Sequence, residues 1–104
     1  MLESWDPETG ALRWSRDFAS RIRSVVGVPL RTTRLGLAVQ QGELYLTAAG
    51  RWWDDPGGRI DHHWALFALD PETGNERWTR SGAGEAQYLL VGADGSLYLS
   101  VLAR

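Results

Sequence analysis

The feature that most narrows the fold is an internal repeat. Asp6-Pro7-Glu8-Thr9-Gly10, followed by Trp14, returns as Asp70-Pro71-Glu72-Thr73-Gly74, followed by Trp78, with each matched position sixty-four residues apart. A second pair, Gly42-Glu43-Leu44-Tyr45-Leu46-Thr47 and Gly95-Ser96-Leu97-Tyr98-Leu99-Ser100, is fifty-three apart. Self-similarity at such a period marks architectures in which each unit buries its face against the next. Two different offsets imply that the units keep their strand order while connecting loops change length. Those loops fall at about residues 16–34 and 50–61.

Between the repeats the pattern is that of short strands. An apolar run at residues 35–39, the turn Gln41-Gly42 and strand formers at 44–48 predict a hairpin. The same signal returns at 88–91, Ala93-Asp94-Gly95 and 97–101. Residues 63–69 are a short, bulky apolar run bounded by a turn, which predicts a buried strand. In Asp-Pro-Glu-Thr-Gly the Asp carboxylate can accept a backbone N–H two residues on, Pro presets φ, and Gly takes the left-handed position that closes the hairpin. Residues 76–80 then leave as a fourth strand. Trp78 is the large apolar group on its face of that strand and is expected to be buried against a neighbour.

Calling these strands A to D, the chain order becomes C′ (about 2–5), D′ (about 11–15), one whole A-B-C-D unit, then A″ and B″. No helix is required. The expectation is an all-β chain: one β-propeller segment over residues 1–104, made of four-stranded antiparallel blades. Residues 1–15 end one blade, 35–80 form a whole blade and 86–103 start the next.

Ala68, Asp70, Thr73, Gly74 and Trp78 together resemble the tryptophan-docking motif of pyrroloquinoline-quinone-type (quinoprotein-like) β-propeller repeats, with Asn75 where that family often has Lys. The earlier copy matches at Asp6, Thr9, Gly10 and Trp14, with Ser4 in place of the Ala and Ala11 in place of the Lys. The resemblance implies a structural role, in which the Trp stacks across the gap between neighbouring blades and the Gly makes the turn. Burying an indole of about 200 Å² at such a seam is worth several kcal/mol. The family includes outer-membrane assembly lipoproteins and extracytoplasmic sensor or binding domains, so the resemblance implies a cell-envelope or extracytoplasmic setting. It also includes alcohol and sugar dehydrogenases that hold the quinone (PQQ) and a calcium ion near the propeller axis. Nothing in this chain resembles the vicinal cysteines that cover the quinone in many of those enzymes. Calcium ligands and a catalytic aspartate fall on none of its motifs.

Composition removes several other functions. The net charge of −2 gives no field that would favour nucleic acid or an anionic membrane. All eleven basic residues are arginine, and Arg13, Arg16, Arg21, Arg23, Arg31 and Arg34 crowd the first third, as an Arg-rich strand connection or as a patch for an anionic partner. Without cysteine there is neither a disulfide nor a thiolate nucleophile. The first residues lack the basic start and apolar run of a signal peptide, and no apolar stretch approaches a membrane span.

Residues 51–63 concentrate the unusual side chains. Exposed Trp52 and Trp53 would suit a protein partner or a carbohydrate face, and Asp54, Asp55, Asp61, His62 and His63 are candidates for a divalent cation. Against this, Asp-Asp-Pro-Gly-Gly is a turn sequence, the tryptophans can fold over the blade flank, and adjacent histidines point to opposite sides of a strand. The expectation is therefore a non-catalytic binding or scaffolding module that interacts through blade-end loops, with no cofactor and no metal. A piece of a PQQ-dependent dehydrogenase is the alternative. Since the chain starts in a C strand and stops after a B strand, its ends hold complementary halves of a blade, and Trp14 is expected to be left exposed. Either the chain is a fragment of a longer propeller, or copies of it complete one another's blades in a ring of about three or four.

Overall fold

The alternating and continuous apolar runs described above fold into three antiparallel sheets. The computed structural model describes residues 1–53 and 60–102. Within them the order is β1 (Leu2–Trp5), β2 (Leu12–Arg16), α1 (Ala19–Val26), β3 (Thr32–Gln40), β4 (Glu43–Trp53), β5 (Ile60–Leu69), β6 (Glu76–Ala83), β7 (Glu85–Val91) and β8 (Leu97–Leu102). The sheets are β1-β2, β3-β4-β5-β6 and β7-β8, each strand pairing with its sequence neighbour.

The four-stranded sheet is sandwiched. Its side chains alternate across the two faces, as the pleat requires. Leu46, Ala48, Ala65, Phe67 and Leu69 form one core with Phe18 and Ile22 of the α1 segment, joined by Leu2 of β1. Tyr45, Leu66 and Ala68 form the other, against Leu89 and Leu97 of the β7–β8 hairpin. Burial on both faces is why 64–69 reads as an unbroken apolar run rather than as an alternation. The hairpin turn between β3 and β4 puts both Gln41 (φ 48°) and Gly42 (φ 76°) in the left-handed region, the type I′ arrangement whose twist matches that of the strands it joins.

The molecule is elongated. The radius of gyration is 14.9 Å and the principal extents are 50 × 30 × 19 Å, against about 13 Å for a globular domain of this length. Such a shape leaves apolar surface open. Leu35, Leu37 and Val39 are 54%, 56% and 68% exposed along β3. They pair across the sheet with Ala48, Leu46 and Leu44, so they belong to the α1 face.

Two expectations need correction. The connection over residues 16–34 is not loop throughout: it contains α1, so the chain is mostly β rather than all-β. Phe18, Ile22, Val25 and Val26 recur at helical spacing and turn one stripe inward, while Arg21 and Arg23 remain outside. Asp17 Oδ1 accepts the Ala19 N–H at 3.0 Å at the start, and Gly27 closes the helix with its N–H on the Arg23 carbonyl. The second correction concerns the insertion at 50–61. Strands β4 and β5 continue into it, with Arg51 opposite His62, Trp52 opposite Asp61 and Trp53 opposite Ile60. Trp52 and Trp53 are thus half-buried strand residues, because the ladder extends as far as its backbone partners allow.

Candidate functional site

The two Asp-Pro-Glu-Thr-Gly turns are built bond for bond alike. Asp6 Oδ1 accepts the Glu8 N–H and Asp70 Oδ1 the Glu72 N–H, both at 2.9 Å. Thr9 Oγ1 accepts from the Ala11 N–H and Thr73 Oγ1 from the Asn75 N–H, both at 3.2 Å. The Gly10 N–H reaches the Asp6 carbonyl and the Gly74 N–H the Asp70 carbonyl. Gly10 and Gly74 sit at φ 73° and 77°, where a residue with a Cβ is strained. The strands that leave the turns share the same irregularity. Ser4 faces Trp14 and Ala68 faces Trp78, with the register shifting one pair nearer the turn in each case.

The two tryptophans nevertheless have different surroundings. Trp14 is 9% exposed. Its indole lies across the Gly74 turn so closely that a Cβ on Gly74 would be 2.7 Å from Trp14 Cε3. Its Nε1–H donates to the Pro71 carbonyl at 2.8 Å. Arg16, two residues on, donates to the Thr73 carbonyl at 3.1 Å and to Asn75 Oδ1 at 2.8 Å. This seam joins the β1–β2 hairpin to the turn between β5 and β6. Arg21 of α1 adds a forked ion pair to Glu76 at 2.8 and 2.9 Å. Four of the six arginines of the first third serve within the chain: Arg16 and Arg21 brace the seam, Arg31 lies 4.8 Å over the Trp53 ring, and Arg34 donates to the Ala86 carbonyl.

Trp78, expected to be buried against a neighbouring blade, is 38% exposed. It rests against Tyr45 at 6.2 Å between ring centroids and beneath the Arg80 guanidinium at 5.5 Å. Trp14, expected to be exposed, is the buried one. The reason is the direction of docking: the tryptophan of one repeat reaches the turn of the repeat that follows it. Trp14 finds its turn at Asp70–Gly74, whereas among the described residues no third turn follows Trp78. The Gly10 turn also stands open, with nothing within 4 Å of the position a Cβ would take.

Among the described residues the other candidates are not gathered into a chemical site. His62 and His63 alternate along β5, His63 pairing with Gly50 and Ala83 and His62 with Arg51. Asp54 and Asp55 lie outside the described residues. Among the described residues no three His, Asp or Glu side chains converge as a metal set. A cleft of about 650 Å³ opens between β1, α1 and β3, lined by Leu2, Phe18, Leu30, Leu35, Leu37 and Leu46 among others. The sequence signal for this apolar cleft, which the motifs above do not include, is the alternation of Leu35 and Leu37 along β3. The chain matches no family model, no curated protein and no solved structure.

Charge at the turns makes stability depend on pH. The Glu8 backbone N–H holds the Asp6 carboxyl below its ordinary value of 3.8, and the Ser96 backbone N–H does the same for Asp94. The Arg21 guanidinium holds Glu76 below 4.5. A carboxyl depressed in the folded state contributes stability that is complete above its unfolded value and is lost as pH falls through the folded one. Melting temperatures measured from about pH 7 to about pH 2.5 are expected to fall once pH drops through the ordinary carboxylate range. A melting temperature that rises on acidification would contradict this assignment.

Proposed function

We propose that the chain is a non-catalytic binding or scaffolding module of the quinoprotein-like β-propeller type. Its sheets are blades, and it associates through tryptophan-to-turn docking and the blade-end elements around it. The observation that supports this reading most is the Trp14 seam: an indole stacked on Gly74 and hydrogen-bonded to the Pro71 carbonyl, joining one sheet to the next. That is the contact which the resemblance to quinoprotein repeats implies for its tryptophans. A repeat of this kind gives a rigid stack whose exposed ends are binding surfaces. Function is a property of sites rather than folds, and the richest site of this chain is an association seam.

The test against a dehydrogenase piece is direct. Titration with pyrroloquinoline quinone and calcium, followed by tryptophan fluorescence, is expected to give no saturable change beyond inner-filter loss. Six tryptophans make that signal sensitive. A saturable quench that requires both ligands would favour the dehydrogenase alternative and overturn the scaffold reading.

A further inference from the structure

The chain contains one filled docking seam together with the two unmatched halves of a second. Trp14 fills the Gly74 turn. Trp78 stands on the same strand geometry as Trp14, opposite Ala68 as Trp14 is opposite Ser4, yet is 38% exposed. The Gly10 turn has the hydrogen bonds and φ of the Gly74 turn, yet has nothing within 4 Å of the Cβ position. One seam thus demonstrates, within the chain, that these two sequences fit each other.

We propose that the occupant of the open halves is a second copy of this chain, with Trp78 of one copy docked on the Asp6–Gly10 turn of the next. This rests on the reading of the chain as a docking module and names its partner. By the sixty-four-residue equivalence, the Trp78 indole N–H donates to the Pro7 carbonyl of the next copy, as Trp14 does to Pro71. Arg80 reaches the Thr9 carbonyl, as Arg16 reaches that of Thr73. The side chain of Asn75 has no counterpart at Ala11, so the second seam is one hydrogen bond poorer.

The strands and faces agree with the same arrangement. Strand β4 pairs with β5 as Leu44 with Leu69 and Tyr45 with Ala68. Shifting these by fifty-three and sixty-four residues pairs β8 of one copy with β1 of the next: Leu97 with Trp5, Tyr98 with Ser4, Leu99 with Glu3. The β7-β8 and β1-β2 sheets are two-stranded, and β8 and β1 each lack a partner on one edge among the described residues. Joined, they make a four-stranded sheet like β3-β4-β5-β6. The outward face of β7–β8 presents Leu90, Tyr98 and Leu102 at 64%, 56% and 45% exposure. In this arrangement it lies over Leu35, Leu37 and Val39 of the next copy, which are open as well. Knob, strand edge and apolar face therefore all select the same neighbour. Because the contact is head-to-tail, it closes into a ring when the rotation permits. Each copy contributes two blades, so propellers of about four to eight blades correspond to about two to four copies.

Light scattering on a sizing column tests this with the wild-type chain, Trp78→Ala, Gly10→Val and a one-to-one mixture of the variants. The wild type is expected at an integral multiple of the 11.6 kDa chain. Each variant alone is expected at the mass of one chain with the far-UV circular dichroism of the wild type, since neither position lies in the chain's own cores. The mixture is expected to give a two-chain species, because Gly10→Val retains Trp78 and Trp78→Ala retains an open turn. A folded wild type at the mass of one chain overturns the proposal, as do variants that keep the wild-type mass or a mixture that stays at one chain. A single-chain wild type would still leave the Trp14 seam in place, since that seam is tested separately by replacing Trp14.

Discussion

Trp14→Ala is expected to lower the unfolding free energy by about 3–5 kcal/mol, the range for removing a large buried aromatic. Three losses combine. The indole gives up its stacking on Gly74, the Pro71 carbonyl loses its donor at 2.8 Å, and the hairpin that carries Arg16 loosens from the turn. Domains of this size hold only about 5–15 kcal/mol in total, so the loss is a large fraction of the stability. The damage should appear first in β1 and β2, because a two-stranded hairpin is marginal without something to pack on. Urea denaturation gives the magnitude, and amide exchange shows whether β1 and β2 open before the four-stranded sheet. A variant that melts within about 2 °C of wild type would mean that the seam contributes almost nothing, since 1 kcal/mol corresponds to about 4–8 °C here.

Gly74→Val is expected to cost about 2–5 kcal/mol, from two sources that can be separated. At φ 77° a β-branched residue is strained by about 1–2 kcal/mol. Its Cβ would also stand 2.7 and 2.9 Å from Trp14 Cε3 and Cδ2, which forces the indole off its seat and adds about 1–3 kcal/mol of overpacking. Gly10→Val is the internal control. It has nearly the same φ, 73°, with nothing within 4 Å, so in the dissociated chain it carries the backbone term alone. The difference between the two valine variants measures the docking contact. Combining Gly74→Val with Trp14→Ala should cost less than the sum of the two, because removing the indole removes the clash. Strict additivity, or equal costs at Gly10 and Gly74 in a Trp78→Ala background where no second copy occupies the Gly10 turn, would show that Trp14 does not press on this turn.

How much of this was legible before folding differs from element to element. The Asp-Pro-Glu-Thr-Gly turns are dictated by their own residues, because an Asx hydrogen bond spanning two residues and a left-handed Gly are local physics. The hairpin at Gln41-Gly42 is equally local. Strand β5 showed as an apolar run, although the run could not say that α1 and β7–β8 would be its two covers. Helix α1 was hidden because its stripe of Phe18, Ile22, Val25 and Val26 is brief and lies among arginines, so an eight-residue helix gains most of its stability from the sheet it rests on. The sequence presents Trp52 and Trp53 as loop because the Asp-Pro-Gly-Gly stretch beside them is a turn signal, whereas the extent of a ladder depends on the partner strand.

Local physics along the chain is enough to make this a repeat of short antiparallel strands, with two equivalent turns and two equivalent tryptophans. It did not determine which tryptophan is buried. Trp14 and Trp78 have the same local motif, and nothing within either copy distinguishes a knob that docks forward from one that docks back. That choice depends on which face of each sheet meets the next, a consequence of strand twist and of how the sheets stack over distances of more than fifty residues along the chain. The packing of sheet on sheet is therefore what seats Trp14 on the Gly74 turn and leaves Trp78 and the Gly10 turn open.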